Sequence, residues 1–114
     1  MIKEILEKIM EISGVKGVEA ITKDGLVIEK LFYENETSDV LGAMVAKINR
    51  EMEMSIGRST DTLPIFSTIY TNKHEVLFIS KEKFIIVVLA EKNVNIGALI
   101  IQIKSVASQI QSQI

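Results

Sequence analysis

Chemistry in this chain has few places to start. His74 is its only histidine, there is no cysteine, and the arginines are Arg50 and Arg58 alone. One histidine cannot build a histidine-based catalytic triad or a two-histidine metal site within one chain. Without cysteine, disulfides, thiolate zinc sites and thiol nucleophiles are all excluded. His74 falls between two predicted strands and reads as a solvated turn residue. Glu34 and Glu36 occupy a polar loop and Asp39 a helix start, so they read as solvated or capping groups rather than as an acid–base pair. Asp24 reads as a turn residue. Arg58 follows Gly57 at a helix end, where an arginine meets the last carbonyls or solvent more readily than a nucleotide. The Gly14-x-x-Gly17 pair is a helix-to-strand turn, and neither G-x-x-x-x-G-K-[ST] nor G-x-G-x-x-G occurs. The residues therefore predict a binding protein, with no catalytic group, cofactor or metal site.

The bulk properties agree with that class. At 114 residues the chain has the size of one domain, expected to span 1–114. It is 47% hydrophobic and 25% charged with a net charge of −2, and its lysines are scattered. A nucleic-acid binder needs a basic face to neutralise phosphates, so that partner is not expected. The N-terminal Met1-Ile2-Lys3-Glu4-Ile5 alternates charge with apolar residues, unlike a secretory leader. The longest apolar stretch, Phe84 to Ala90, falls well short of the ~20 residues of a membrane span. A cytoplasmic protein without membrane insertion is expected. The mean hydropathy of +0.28 is high for so short a chain and predicts apolar surface left over once the core is filled.

The elements that must position these residues follow from periodicity. Ile2, Ile5, Leu6, Ile9 and Ile12 lie at helical spacing over Ile2 to Ser13, with Gly14 as the left-handed stop. Val15 to Lys23 and Leu26 to Phe32 read as strands around the Lys23-Asp24-Gly25 turn. A helix follows over about Asp39 to Ile56, capped by Thr37 or Ser38 and stopped at Gly57. After a connection over Thr60 to Leu63, Pro64 can open a strand without donating to the ladder. Strands are predicted over Ile65 to Thr71, Glu75 to Ser80 and Lys83 to Ala90, the last apolar enough to be covered on both faces. A final helix runs from Asn95, its N-cap, towards Ile114, with Ile96, Leu99, Ile100, Ile103, Val106, Ala107 and Ile110 as one stripe and Ile101 turned away. The class is α+β in the order α-β-β-α-β-β-β-α, a five-stranded, mostly antiparallel sheet with helices on its faces.

The central helix carries too much apolar surface for one job. At about 100° per residue, Val40, Leu41, Met44, Val45, Ile48, Met52 and Ile56 cover an arc of roughly 160°, against the ~100° a helix needs to pack on one sheet. Gly42, Ala43 and Ala46 lie elsewhere and permit close approach. Either the core is deep at this helix, or the helix also meets a copy of itself across a two-fold axis. Met44 and Met52 suit the second reading, since methionine adapts to imperfect surfaces.

Taken together, Gly14-Val15-Lys16-Gly17-Val18, the hairpin Asp24-Gly25-Leu26-Val27-Ile28, the long central helix, the three later strands and the opening Asn95-Ile96-Gly97 resemble the Roadblock/dynein light-chain family over essentially the whole chain. The resemblance, to prokaryotic members, implies a profilin-like fold and a homodimer in which central helices pair and the strands Ile65 to Tyr70 join edge to edge. Leu41, Met44, Val45, Ile48 and Met52 of the helix and Ile65, Ser67 and Ile69 of the strand would then form the dimer or partner interface. It further implies a non-enzymatic regulator or scaffold that binds a small Ras-like GTPase, as a gliding-motility regulator of this family does, stimulating hydrolysis by repositioning the GTPase's own residues. Two other functions compete: a structural adaptor indifferent to nucleotide, and a small-molecule sensor enclosing a ligand.

Overall fold

The computed structural model describes residues 1–33, 38–57 and 63–114. The order is α1 (Ile2–Met10), β1 (Val15–Thr22), β2 (Val27–Phe32), α2 (Ser38–Ile56), β3 (Ile65–Tyr70), β4 (His74–Ser80), β5 (Phe84–Glu91) and α3 (Ile96–Gln111). The expected sequence of elements is therefore present, with α1 and α3 closing three residues before the expected ends at Ser13 and Ile114. Expectations for Glu34, Glu36, Thr37, Arg58 and the connection at 60–62, and for the side chains of Ser38 and Asp39, fall outside the described residues.

All strand pairings are antiparallel, in the order β2-β1-β5-β4-β3. The most apolar strand, β5, takes the centre. Phe84, Ile86 and Val88 point into one core layer with α1 and α3, whereas Ile85 and Val87 point into another beneath α2. This is why its sequence has no alternation: both faces are covered, and period-2 patterning has nothing to separate. On the first face Ile5, Leu6 and Ile9 of α1 pack with Leu99, Ile103, Val106 and Ile110 of α3 over Val18, Ala20, Leu77 and Ile79. Asn95 caps α3 as expected, accepting from the backbone of Ala98 at 3.1 Å. Gly14 and Gly25 take φ of +98° and +96°, left-handed turns that a side chain would strain.

One residue departs from expectation. His74 is the first residue of β4 and half-buried, not a solvated turn residue. The turn is tighter than the sequence suggested: Thr71 N–H donates to the His74 carbonyl at 2.9 Å, leaving Asn72 and Lys73 as its tip. Alternation then places His74 on the same face as Val76 and Phe78.

Candidate interaction surface

The second face of the sheet is only partly roofed. α2 packs chiefly on β1, β2 and β5, so among the described residues no helix covers the β3–β4 end of that face. Leu41, Val45, Ile69, Val76 and Leu89 line the resulting groove of about 490 Å³, with Val40, Met44 and Ile48 forming its helical wall and His74 its one ionisable side chain among the described residues.

Above the groove, Val40, Met44, Ile48, Met52 and Ile56 recur every fourth residue and are all exposed, Met44 by 55% and Ile48 by 37%. Four-residue spacing makes neighbours along one side of a helix, so these five form a continuous apolar stripe. Monomeric surfaces rarely leave such a strip open beside an apolar groove.

The residues predicted for an interface divide between the rim and the core. Met44, Ile48 and Met52 are exposed; Leu41, Ser67 and Ile69 are half-buried beside the groove. Val45 is 1% exposed and Ile65 7% exposed, both already buried within one chain, and Val45 belongs to the core beneath α2. Hydropathy alone cannot separate these sets, because adjacent meridians of α2 are equally apolar.

Strand β3 closes the sheet at this end. Since Thr71 bonds inward to His74, the alternation of an antiparallel ladder turns the backbone groups of Phe66, Thr68 and Tyr70 away from β4. No strand among the described residues lies beyond it, so the edge can accept another.

The opposite flank of α2 is held tightly. A Cβ added at Gly25 would lie 3.2 Å from the Ala46 Cβ and 3.4 Å from the Ala43 Cα, so the hairpin approaches the helix to near contact. At Gly42 the helix crosses the fully buried Glu19 of β1, whose carboxylate occupies the space a side chain would need. A polar clamp with no signature in residue spacing fixes the far end. Lys23 Nζ pairs with Glu53 Oε2 at 2.7 Å and donates to Ser80 Oγ at 2.7 Å and to the Lys81 carbonyl at 2.6 Å. Asn49 Nδ2 donates to the same Glu53 oxygen at 2.6 Å. Burial works to raise the Glu53 carboxyl, but the hydrogen bonds from Lys23 and Asn49 and the charge of Lys23 outweigh it and hold it below the usual carboxylate range. Helix α2 is thus fixed along one flank and bare along the other.

This arrangement, a central helix with one open apolar flank over a sheet with a free edge, can be set against known proteins. The sequence profile of the Roadblock/LC7 domain matches residues 1–90. The chain belongs to the Roadblock/LC7 domain family. That match takes in both halves of the groove and ends just before α3. A relative in Methanocaldococcus jannaschii, the uncharacterized protein MJ0714, is 30% identical, covering 98% of this chain and 95% of its own. Among solved structures, a Roadblock/LC7 domain from Streptomyces avermitilis superposes with a TM-score of 0.80 at 11% identity, covering 96% of this chain and 94% of that one. The gliding protein MglB from Thermus thermophilus superposes with a TM-score of 0.76 at 15% identity, covering 92% of this chain and 82% of that one. At such identities the structures establish a shared Roadblock fold and nothing finer. No helix among the described residues is long and apolar enough to cross a membrane.

Proposed function

We propose that this Roadblock protein is a homodimeric, non-catalytic regulator or scaffold that binds a small Ras-like GTPase. The observation carrying the dimer is the exposed stripe Val40, Met44, Ile48, Met52 and Ile56 beside an unroofed half-sheet with a free edge. A two-fold axis normal to the sheet beside β3 reverses every direction lying in the sheet plane. It sets β3 antiparallel to its copy, extending the ladder through Phe66, Thr68 and Tyr70, and sets α2 antiparallel to its copy. The stripe is self-complementary under that operation: Val40 faces Ile56, Met44 faces Met52, and Ile48 meets itself on the axis. The two exposed stripes then face each other across the axis.

The GTPase assignment rests on family membership, and regulation by repositioning the GTPase's own residues asks for no catalytic side chain from this chain. Light scattering tests the dimer: the wild type should have about twice the 12.7 kDa chain mass, and Ile48→Asp the chain mass. A wild type at the chain mass at micromolar concentration would rule the dimer out. Binding to a prokaryotic Ras-like GTPase loaded with GDP or a non-hydrolysable GTP analogue, together with the rate of GTP hydrolysis, tests the partner. Preference for one nucleotide state with an altered rate supports regulation. Equal binding in both states at an unaltered rate makes the protein an adaptor, and no binding with an unaltered rate removes the GTPase.

A further inference from the structure

We propose that Lys104 of a second copy pairs with the buried Glu75 across the β3 seam, closing each dimer with two ion pairs; this rests on the dimeric reading above. Glu75 of β4 is 4% exposed, and no hydrogen bond reaches its Oε1 among the described residues. It lies on the α3 face of the sheet, opposite Tyr70 of the edge strand, which is 67% exposed. Lys104 of α3 is exposed, and its ammonium stands 5.7 Å from the centre of the Phe66 ring. Within one chain Phe66 and Tyr70 are about 13 Å apart along β3, which keeps Lys104 away from Glu75.

The two-fold axis brings them together. Helix α2 runs alongside β4: Val40 shares the groove with His74 at one end, and Ser80 Oγ donates to Glu53 Oε2 at 3.4 Å at the other. The helix from Val40 to Glu53 and the strand from His74 to Ser80 each span about 20 Å, at ~1.5 and ~3.3 Å per residue. Ile48 therefore comes level with Leu77 and Phe78, and Leu77 pairs with Thr68. The exposed stripe and the free edge centre on the same level. An axis through it sets Thr68 against its copy and Tyr70 against Phe66 of the second copy, using all three outward-facing residues of the edge. Glu75, Tyr70 and that Phe66 then form one row on the α3 face, with Lys104 of the second copy above its far end. Two strand spacings, about 10 Å, separate Glu75 from that Phe66. A glutamate and a lysine reaching towards each other over Tyr70 cross that distance.

Charge complementarity commits the site to this occupant. Folding has already taken Glu75 out of water, so pairing adds only the desolvation of one exposed ammonium, and a carboxylate oxygen gains its missing donor. A ring at 5.7 Å is near the outer limit of a cation–π contact, so the ammonium loses little by leaving it. Symmetry forms the pair twice in each dimer.

A double-mutant cycle on the dissociation constant, read by sedimentation equilibrium on the full chain, tests the pair. Glu75→Gln keeps the shape of the buried side chain and Lys104→Gln changes an exposed one, with circular dichroism to verify both folds. Each single substitution should raise the dissociation constant at least ~10-fold, and the double variant should lie within ~2-fold of the weaker single variant. Two changes at Lys104 alone carry the test if Glu75→Gln does not fold. Lys104→Arg, which keeps the charge, should stay within ~3-fold of wild type, and Lys104→Glu, which sets two carboxylates in one row, should weaken the dimer more than Lys104→Gln. Penalties that multiply, each the same in either background, overturn the pair and leave the dimer standing. So does a dissociation constant that neither Lys104→Gln nor Lys104→Glu moves. A wild type monomeric at micromolar concentration overturns the pair together with the dimer.

Discussion

Lys23 Nζ lies 2.7 Å from Glu53 Oε2, so the turn after β1 grips the last turn of α2 across thirty positions of sequence. The same ammonium reaches Ser80 and the carbonyl of Lys81, which ties both ends of the clamp to the turn between β4 and β5. All three donors of the ammonium are thereby used.

Stability should respond to acid through this clamp. The Glu53 carboxyl is held below its unfolded value, so its contribution is complete above the ordinary carboxylate pKa of ~4.3 and is lost as pH falls through the folded value. Urea unfolding of the wild type between about pH 6 and about pH 3 should lose more free energy than that of Glu53→Gln. Equal pH slopes would show that the clamp is not ionic. Lys23→Met strands the carboxylate and should cost about 1–3 kcal/mol at neutral pH.

Two glycines in helices should behave oppositely when changed to alanine. Gly42→Ala drives a methyl into the fully buried Glu19 carboxylate, which must shift within the core, and should destabilise by about 1–3 kcal/mol. Gly97→Ala, exposed near the start of α3 with only its own cap 3.6 Å away, should stabilise by up to ~1 kcal/mol. Thermal melts of both variants decide the matter, and a neutral Gly42→Ala would mean that α2 or the Glu19 side chain is free to shift.

Removing the cap of α3 should be measurable on its own. Asn95→Ala deletes the acceptor of the Ala98 amide and should cost ~1 kcal/mol, whereas Asn95→Asp, which keeps that acceptor, should cost less than half as much. Chemical denaturation at fixed protein concentration reads the difference.

Val45 and Met44 are neighbours with different duties, and protein concentration should separate them. Val45→Ala removes a core contact and should lower stability by about 1–3 kcal/mol at every concentration. Met44→Ala trims an exposed side chain, so it should leave unfolding at low concentration unchanged and reduce the gain in melting temperature seen on concentrating the protein. A concentration-independent effect of Met44→Ala would place that side chain in the core instead.

Much of this is legible in the residues. Gly14 and Gly25 mark their turns, Asn95 marks the start of α3, and the unbroken run from Phe84 to Leu89 marks a strand enclosed on both faces. The over-wide apolar arc of α2 announces an exposed apolar stripe beside the buried one. What stays hidden is relational. Periodicity gives the face of a residue but not how far a roof extends over it, so Val45 and Met44 read alike. Lys23 and Glu53 carry no mutual signal in sequence, and Glu19, a glutamate in a strand, reads as surface until Gly42 crosses it. His74 reads as a turn residue because the turn before it is one residue shorter than its composition suggests.

The sheet order also sets a timetable. Its central strand, β5, is the last strand synthesised, while its neighbours β1 and β4 belong to hairpins formed earlier. A nascent chain emerging from the ribosome therefore holds two ribbons, β1–β2 and β3–β4, with no ladder between them until Phe84–Glu91 arrives. Until then Ile21 and Phe78 have no strand between them to share, and neither hairpin has a complete sheet face to bury. Closure is thus a single late event spanning most of the chain, of the kind that folds slowly. A chain that stops between Ser80 and Phe84 holds two separate ribbons instead of a smaller version of the fold.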